Sequence, residues 1–178
     1  GDGNDDGTQD SEQSSVASNG GTVFPRAGSA GLADGRLGNS VKWTLSITGG
    51  NCPQINNSEV VDPGFLPVDP ENGEYPLGLI RFEMPNCSQA ELEVIFHGAD
   101  FQPNDWRWRN FGPTVPGDES TFGWYDLGLR AERIDAQRWR LSLDAGQFGV
   151  YRDNANNILM LGGPFFSPDG VFSDRFEQ

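Results

Sequence analysis

Short runs in which apolar and polar residues alternate one by one constrain the fold of this chain most strongly. In KWTLSIT (42–48), Trp43, Leu45 and Ile47 fall on one face of an extended strand, and polar residues fall on the other. Comparable runs occur at 77–84, 90–101, 106–111, 121–128, 129–134, 137–144, 156–163 and 170–176. No intervening segment has the period of an amphipathic helix. The pattern predicts an all-β protein, an antiparallel β-sandwich of jelly-roll or immunoglobulin-like type.

The composition of the chain changes near residue 21. Residues 1–21 are polar and rich in Gly, Ser and Asn, whereas 22–178 carry the alternating runs. This change predicts a short N-terminal loop and linker (1–21) followed by one β-sandwich domain with a C-terminal strand (22–178). Within that domain, Pro, Gly and Asn punctuate 49–76, which is therefore predicted to be largely loop.

The opening residues, GDGNDDGTQDSEQ, place oxygen-bearing groups at alternate positions, with a glycine where a tight turn is needed. Ca²⁺ takes six to eight oxygen ligands from a backbone that curls around it. The spacing therefore predicts a calcium loop with the ligands Asp2, Asn4, Asp6, the carbonyl of Thr8, Asp10 and Gln13.

The twelfth position of this loop departs from the EF-hand pattern, because Gln13 stands where a bidentate Glu is usual. Three carboxylates without that Glu predict a weak site, with a dissociation constant of about 10⁻⁴–10⁻³ M, in the range of extracellular modules. The alternative is an acidic terminus that binds no metal.

Several strings of the sequence resemble known families. The opening stretch resembles the calcium repeats of thrombospondin type 3 and of dockerins. The longer string GDGNDDGTQDSEQSSVAS is similar to the segment that precedes the β-domain of a bacterial surface family, choice-of-anchor U. The strings that resemble strands of that domain are YPLGLIRFEM, WRWRNFGPTVP, GWYDL, LSLDAGQFG and NANNILMLGGPFF.

This resemblance implies a secreted or surface bacterial module, often joined to an anchoring signal, with no established activity. The tail DGVFSDRFEQ also resembles C-terminal strings of secreted bacterial proteins, with Arg175 in place of a glycine. Where the family usually has an acidic run, this chain reads GVYRDNANN. A second calcium site is therefore not expected.

The two cysteines, Cys52 and Cys87, lie outside any C-x-x-C motif and predict one disulfide. Closing a loop of roughly 35 residues stabilises a fold by about 4 kcal/mol in the chain-entropy model. A disulfide fits an oxidising environment outside the cytoplasm. The alternative is a pair of buried thiols in a reducing compartment.

The segment WRWRNF places Trp106 and Trp108 on one face of a strand and Arg107 and Arg109 on the other. In the first interpretation the tryptophans face the core and the arginines lie exposed in weak ion pairs. In the second, the rings are exposed and stack on sugars, with Trp106, Trp108 and Trp124 as the stacking residues. The second interpretation makes a carbohydrate-binding module, with a polysaccharide partner, the alternative function.

Charge and motifs disfavour several classes of function. A net charge of −14 disfavours nucleic acids and anionic membrane surfaces as partners. No apolar run of about 18 residues is long enough to span a membrane. With His97 as the single histidine and no G-x-S-x-G motif, we expect a structural histidine and no enzyme. The polar start without a signal peptide fits a mature fragment with its targeting segment upstream.

Together these features predict a secreted or cell-surface bacterial module that is structural or interaction-related and is stabilised by Ca²⁺. The terminal segment GVFSDRF (170–176) alternates again and predicts a strand that either closes its own sheet or pairs with a neighbouring copy. Pairing with a neighbour would build a homo-oligomer, a filament or a surface layer.

Overall fold

The computed structural model describes residues 2–20, 42–101, 106–115, 118–146, 150–153 and 156–167. Its strands are β1 (Val16–Gly20), β2 (Lys42–Gly50), β3 (Asn56–Val61), β4 (Leu79–Met84), β5 (Gln89–His97), β6 (Trp106–Pro113), β7 (Phe122–Asp126), β8 (Ala131–Arg133), β9 (Arg138–Asp144), β10 (Tyr151–Arg152) and β11 (Ile158–Phe166). Short 3₁₀ turns lie at Asp10–Glu12, Pro63–Phe65, Glu119–Thr121 and Gly128–Arg130.

These strands form two antiparallel sheets that pack face to face. Sheet A has the order β1-β2-β5-β9-β8, and sheet B has the order β3-β4-β11-β6-β7, with β10 paired to β11. The predicted all-β antiparallel sandwich is confirmed. The predicted strand at 170–176 lies outside the described residues.

Apolar side chains from the inner faces of both sheets form the main core. The alternation in β2 turns Trp43 and Leu45 inward, as the sequence predicts, and each is at most 1% exposed. From sheet B, Trp108 meets Trp139 of sheet A with ring centroids 5.7 Å apart. Burying side chains of this size stabilises the fold by about 1.5–3 kcal/mol each. The core therefore lies between the sheets, and each sheet keeps an outer face.

Two strands lie where the sequence predicts loop. β1 falls inside the predicted segment 1–21 and pairs with β2, while β3 falls inside 49–76 and pairs with β4. Each strand is the outermost of its sheet. It therefore pairs with one neighbour only, and its side chains stay half-exposed. Strands of this kind need no strict apolar alternation, and the sequence therefore gives no signal for them.

The predicted disulfide between Cys52 and Cys87 is confirmed, with the two Cα atoms 4.8 Å apart. It joins the segment after β2 to the turn between β4 and β5. Hydrogen bonds reinforce the same junction, because the side-chain oxygen of Asn51 accepts from the backbone N–H groups of Ser88 and Gln89 at 3.0 and 2.9 Å.

Arg109 differs from the prediction that the arginines of β6 lie exposed, because it is only 3% exposed. Residues 62–78 cross part of the outer face of sheet B and cover Arg109 there. Nε and Nη2 of Arg109 donate to the two carboxylate oxygens of Asp69 at 2.7 and 2.8 Å. The hydroxyl of Tyr75 donates to the same carboxylate at 2.6 Å. Alternation predicted which face Arg109 takes, but not the distant loop that buries it.

The neighbouring Arg107 is half-buried on the same face. Its guanidinium pairs with Asp126 at 2.7 Å and lies 3.8 Å from Glu71. Burial raises the pKa of Asp126, and this outweighs the attraction of the two arginines. The face predicted to carry weak surface pairs therefore carries a connected ionic cluster.

Hydrogen bonding decides the charge state of Asp69. Burial opposes its ionisation, but hydrogen bonds from Arg109, Tyr75 and the backbone N–H of Glu71 outweigh burial and lower the pKa of Asp69. Burial and the adjacent carboxylate raise the pKa of Tyr75, so the phenol remains a hydrogen-bond donor. The Asp69–Arg109 pair is therefore charged, and it holds residues 62–78 on sheet B.

Replacing Asp69 with Asn should lower the free energy of unfolding by about 3 kcal/mol, because the buried Arg109 loses its bidentate carboxylate partner and keeps only Asp126, at 3.1 Å. The matched control is Glu59→Gln. Its partner Arg81 is 51% exposed, and the loss should stay below about 1 kcal/mol. Urea unfolding at neutral pH measures both variants. Equal losses would contradict a structural role for the buried pair.

The same pair predicts a pH dependence. A carboxyl whose pKa is lowered by folding stabilises the fold above its unfolded value, about 3.9, and that contribution is lost as the pH falls through the folded value. The wild-type protein should therefore lose stability below about pH 4, and Asp69→Asn should lack this part of the loss. Urea titrations at stepped pH values measure the difference.

Candidate metal centre

The N-terminal loop (residues 2–15) packs on the outer face of sheet A and is not a free tail. Beneath it, Thr44 and Ser46 are only 1% and 7% exposed although they point away from the core. A Cβ atom at Gly3 would overlap with Oγ1 of Thr44, so the loop touches the sheet there. Backbone bonds continue the contact, because the N–H of Ile47 donates to the carbonyl of Ser15 at 2.9 Å.

The start of the loop curls around the carboxylate of Asp2. Its two oxygens accept from the backbone N–H groups of Asp6 at 3.1 Å and Gly7 at 2.8 Å. The turn requires positive φ values of 57° at Asp5 and 89° at Gly7. Nothing lies within 4 Å of a Cβ at Gly7, so that glycine is needed for its backbone conformation. The predicted tight turn is therefore formed.

Gln13 and three other predicted ligands form one hydrogen-bonded group. Its Nε2 donates to Oδ1 of Asp6 at 3.0 Å and to the carbonyl of Thr8 at 3.1 Å. Asn4 donates to the other oxygen of Asp6 at 2.9 Å. Hydrogen bonds from Thr8 N–H, Asn4 and Gln13 lower the pKa of Asp6 and favour its charged form. The amide hydrogens of Gln13 thus lie between two oxygens that the sequence assigns to calcium.

The side-chain oxygen of Asn4 is buried and accepts no hydrogen bond from any described residue. An unsatisfied buried acceptor costs free energy, and a cation would satisfy it. The described residues contain no group of three or more His, Cys, Asp or Glu side chains that could hold a metal. The loop instead combines two carboxylates with amide and carbonyl oxygens, which are hard ligands of the kind Ca²⁺ accepts.

Asp10 differs from the other predicted ligands, because its carboxylate turns toward the sheet. Oδ1 accepts from the backbone N–H of Gly3 at 3.0 Å, and Oδ2 accepts from the hydroxyl of Ser18. Ser18 lies 3.0 Å from Oγ1 of Thr44, which lies 2.9 Å from Nε2 of His97. Sequence patterns did not identify Ser18 or Thr44, since outward hydroxyls on strands are common.

The three tryptophans proposed to stack on sugars do not share a surface. Trp108 is 2% exposed and lies in the core, so its predicted stacking role is wrong. Trp106 is half-buried on the inner face of sheet B and contacts Phe101 at 4.9 Å. Trp124 is half-buried on the outer face, stacked on Tyr75 at 5.0 Å. Strand alternation separates the two faces, so the rings form no common platform.

An open cleft of about 330 Å³ lies between β6–β7 of sheet B and β8–β9 of sheet A. Aromatic and charged side chains occur together in its lining, which includes Trp106, Arg107, Trp108, Asp126, Arg133 and Trp139. Trp139 and Arg133 were not identified from the sequence, because only the pairing of the sheets brings them near Trp106.

Comparison with protein-family models, with curated proteins and with solved structures finds no match to this chain. The family resemblance of its short motifs therefore stays a prediction. Among the described residues, no helix has the length and apolar character needed to cross a membrane.

Replacing Gly3 with Ala should displace the loop from the sheet, because the new Cβ atom has no space beside Thr44. Overpacking of this kind lowers the free energy of unfolding by about 1–3 kcal/mol. Gly123→Ala is the control, since its Cβ atom would lie 3.4 Å from Thr114, an ordinary contact. Urea unfolding compares the two, and an unaffected Gly3→Ala variant would contradict the docked arrangement.

Proposed function

We propose that this chain is a secreted or cell-surface bacterial structural or interaction module stabilised by calcium, and not an enzyme. The observation that carries the proposal is the docked loop. In it the buried oxygen of Asn4 accepts from no described residue, and an amide group of Gln13 lies between oxygens of Asp6 and Thr8. Bacterial origin and surface location come from the motif resemblance, and the disulfide supports an oxidising environment.

Calcium would stabilise the module by binding the folded loop. The chain carries a net charge of −14, and the loop concentrates acidic groups that repel one another. A cation held by oxygens of Asp6 and Thr8 would reduce this repulsion. Because the unfolded chain lacks the site, calcium stabilises the folded state by mass action.

Exposed apolar side chains beside β7 support an interaction role. Phe65 is 85% exposed and Val68 is 75% exposed, and they flank Pro67, whose carbonyl accepts from Trp124 of β7 at 2.7 Å. Phe122 of the same strand is 49% exposed. A second copy of the chain is the partner we propose for this surface, since an outermost strand with apolar neighbours favours pairing between copies.

Calorimetry should detect calcium binding with a dissociation constant of about 10⁻⁴–10⁻³ M. Asp6→Asn should abolish the heat of calcium binding, because it removes a carboxylate of the loop. Gln13→Glu should tighten binding about tenfold, equivalent to about 1.4 kcal/mol, by supplying the carboxylate of a complete loop. Glu12→Gln, one residue away and exposed, is the control and should leave the affinity unchanged.

Light scattering on the same samples before and after EGTA tests assembly. Growth in particle size with calcium, lost in a Phe122→Ser variant, is the expected result for pairing through β7. Absence of heat at millimolar calcium would rule out the calcium proposal. A constant monomer size with normal heat would rule out calcium-dependent assembly alone.

The cleft between the sheets favours carbohydrate binding as a second candidate function. Half-exposed Trp106 offers part of its ring, and Arg133 and Asp126 offer polar groups that can bond to hydroxyls. Aromatic walls with a few polar groups are typical of small-molecule sites. Here the sugar would enter the cleft and would not lie on an open sheet face.

Affinity electrophoresis through polysaccharide gels distinguishes this candidate. Trp106→Ala should abolish retention, because it removes the accessible ring of the cleft. Trp124→Ala is the matched control, since that tryptophan is also half-buried but lies on the opposite face of sheet B. Equal retention of both variants and the wild type would exclude the cleft as a sugar site.

A further inference from the structure

We infer that Asp10 positions the N-terminal loop, and that a directional chain of hydrogen bonds through Ser18 and Thr44 couples calcium occupancy to His97. The inference rests on the proposed calcium function and extends it to a defined link between the loop and sheet A. It assigns Asp10 a role other than that of a calcium ligand.

The direction of each bond follows from the number of hydrogens available. An ionised carboxylate only accepts, so Ser18 must give its single hydroxyl hydrogen to Asp10. Ser18 can then only accept from Thr44, at 3.0 Å. Thr44 has no hydrogen left for the imidazole and must accept from Nε2–H of His97, at 2.9 Å. The chain of hydrogen bonds therefore places a hydrogen on Nε2 of His97.

The burial of Thr44 makes this chain of hydrogen bonds sensitive to the position of the loop. Thr44 is 1% exposed, so solvent does not replace a lost partner there. Gly3 lies directly over Thr44, and its backbone N–H donates to the second oxygen of Asp10. A shift of the loop therefore moves Asp10 and changes every bond as far as His97.

The loop is anchored on one side by Asp10 and curled on the other by Asp2. Calcium that draws Asp2, Asn4 and Asp6 together would fix the curl, and Gly3 lies within that segment. The bond from Gly3 to Asp10 is thus the point where the metal ligands meet the chain of hydroxyls. Asp10 cannot leave that point to bind the metal without releasing Ser18.

His97 is the single histidine of the chain, so its imidazole signals need no assignment. The test is nitrogen NMR at about pH 8, where free imidazole is neutral and its two tautomers are distinguishable. Without and with millimolar calcium, the Nε2–H tautomer should be present, and calcium should slow the exchange of its hydrogen with water. Calorimetry on the same samples reports calcium binding independently.

Two variants interrupt the chain at different points. Ser18→Ala and Thr44→Val should each abolish the response of His97 to calcium while calcium still binds. Coupling is reciprocal, so Ser18→Ala should also weaken calcium binding about fivefold. Ser46→Ala is the control, because Ser46 is buried on the same face of β2 but its hydroxyl bonds to no described residue. Its response should equal that of the wild type.

The outcomes separate the two proposals. Heat of calcium binding with an unchanged His97 signal would overturn this inference and leave the proposed calcium function standing. A His97 in the Nδ1–H tautomer would do the same. Retained coupling in both Ser18→Ala and Thr44→Val would also overturn it. Absence of calcium heat would overturn the proposed function and the coupling together.

Discussion

The packing of the two inner sheet faces is the interaction on which the rest of this molecule depends. Trp108 of sheet B meets Trp139 of sheet A, and Phe96 lies beside them with its ring centroid 6.2 Å from that of Trp108. These large side chains set the separation of the sheets. Because alternate residues point inward, the remaining side chains are committed to two outer faces.

A loop packs on part of each outer face, and each loop is held there by a carboxylate. Asp69 binds the guanidinium of Arg109 on sheet B, and Asp10 binds the hydroxyl of Ser18 on sheet A. The two attachments differ in kind. A buried bidentate ion pair is fixed across the neutral pH range, whereas the hydroxyl chain beside the acidic loop would respond to a cation under our proposal.

Local patterns in the sequence predicted the central strands, the disulfide and the tight turn at Gly7, because each depends on neighbouring residues or on a unique pair. The outermost strands β1 and β3 were not predictable, since pairing with one neighbour needs little apolar alternation. The burial of Arg109 was missed for another reason. Its partner Asp69 lies 40 residues earlier in the chain, and only the folded loop brings them together.

The candidate site divides in the same way. Asn4, Asp6, Thr8 and Gln13 are linked by hydrogen bonds, and Asp2 binds the backbone of the same turn, because a short turn determines their positions. Asp10 faces the sheet, since the hydroxyl of Ser18 and the backbone N–H of Gly3 donate to its two oxygens. Nothing in the spacing of the loop distinguishes Asp10 from its neighbours.

The location of the docked loop has a mechanical consequence. β1 pairs with β2 in antiparallel register, from Val16 opposite Ser46 to Gly20 opposite Lys42. Tension applied to the polypeptide before β1 would break the β1–β2 residue pairs one after another. The loop lies ahead of Val16 and is fastened to Thr44, so tension reaches the loop before it reaches the first pair. A calcium-filled loop would thus raise the force needed to peel β1 from the sheet.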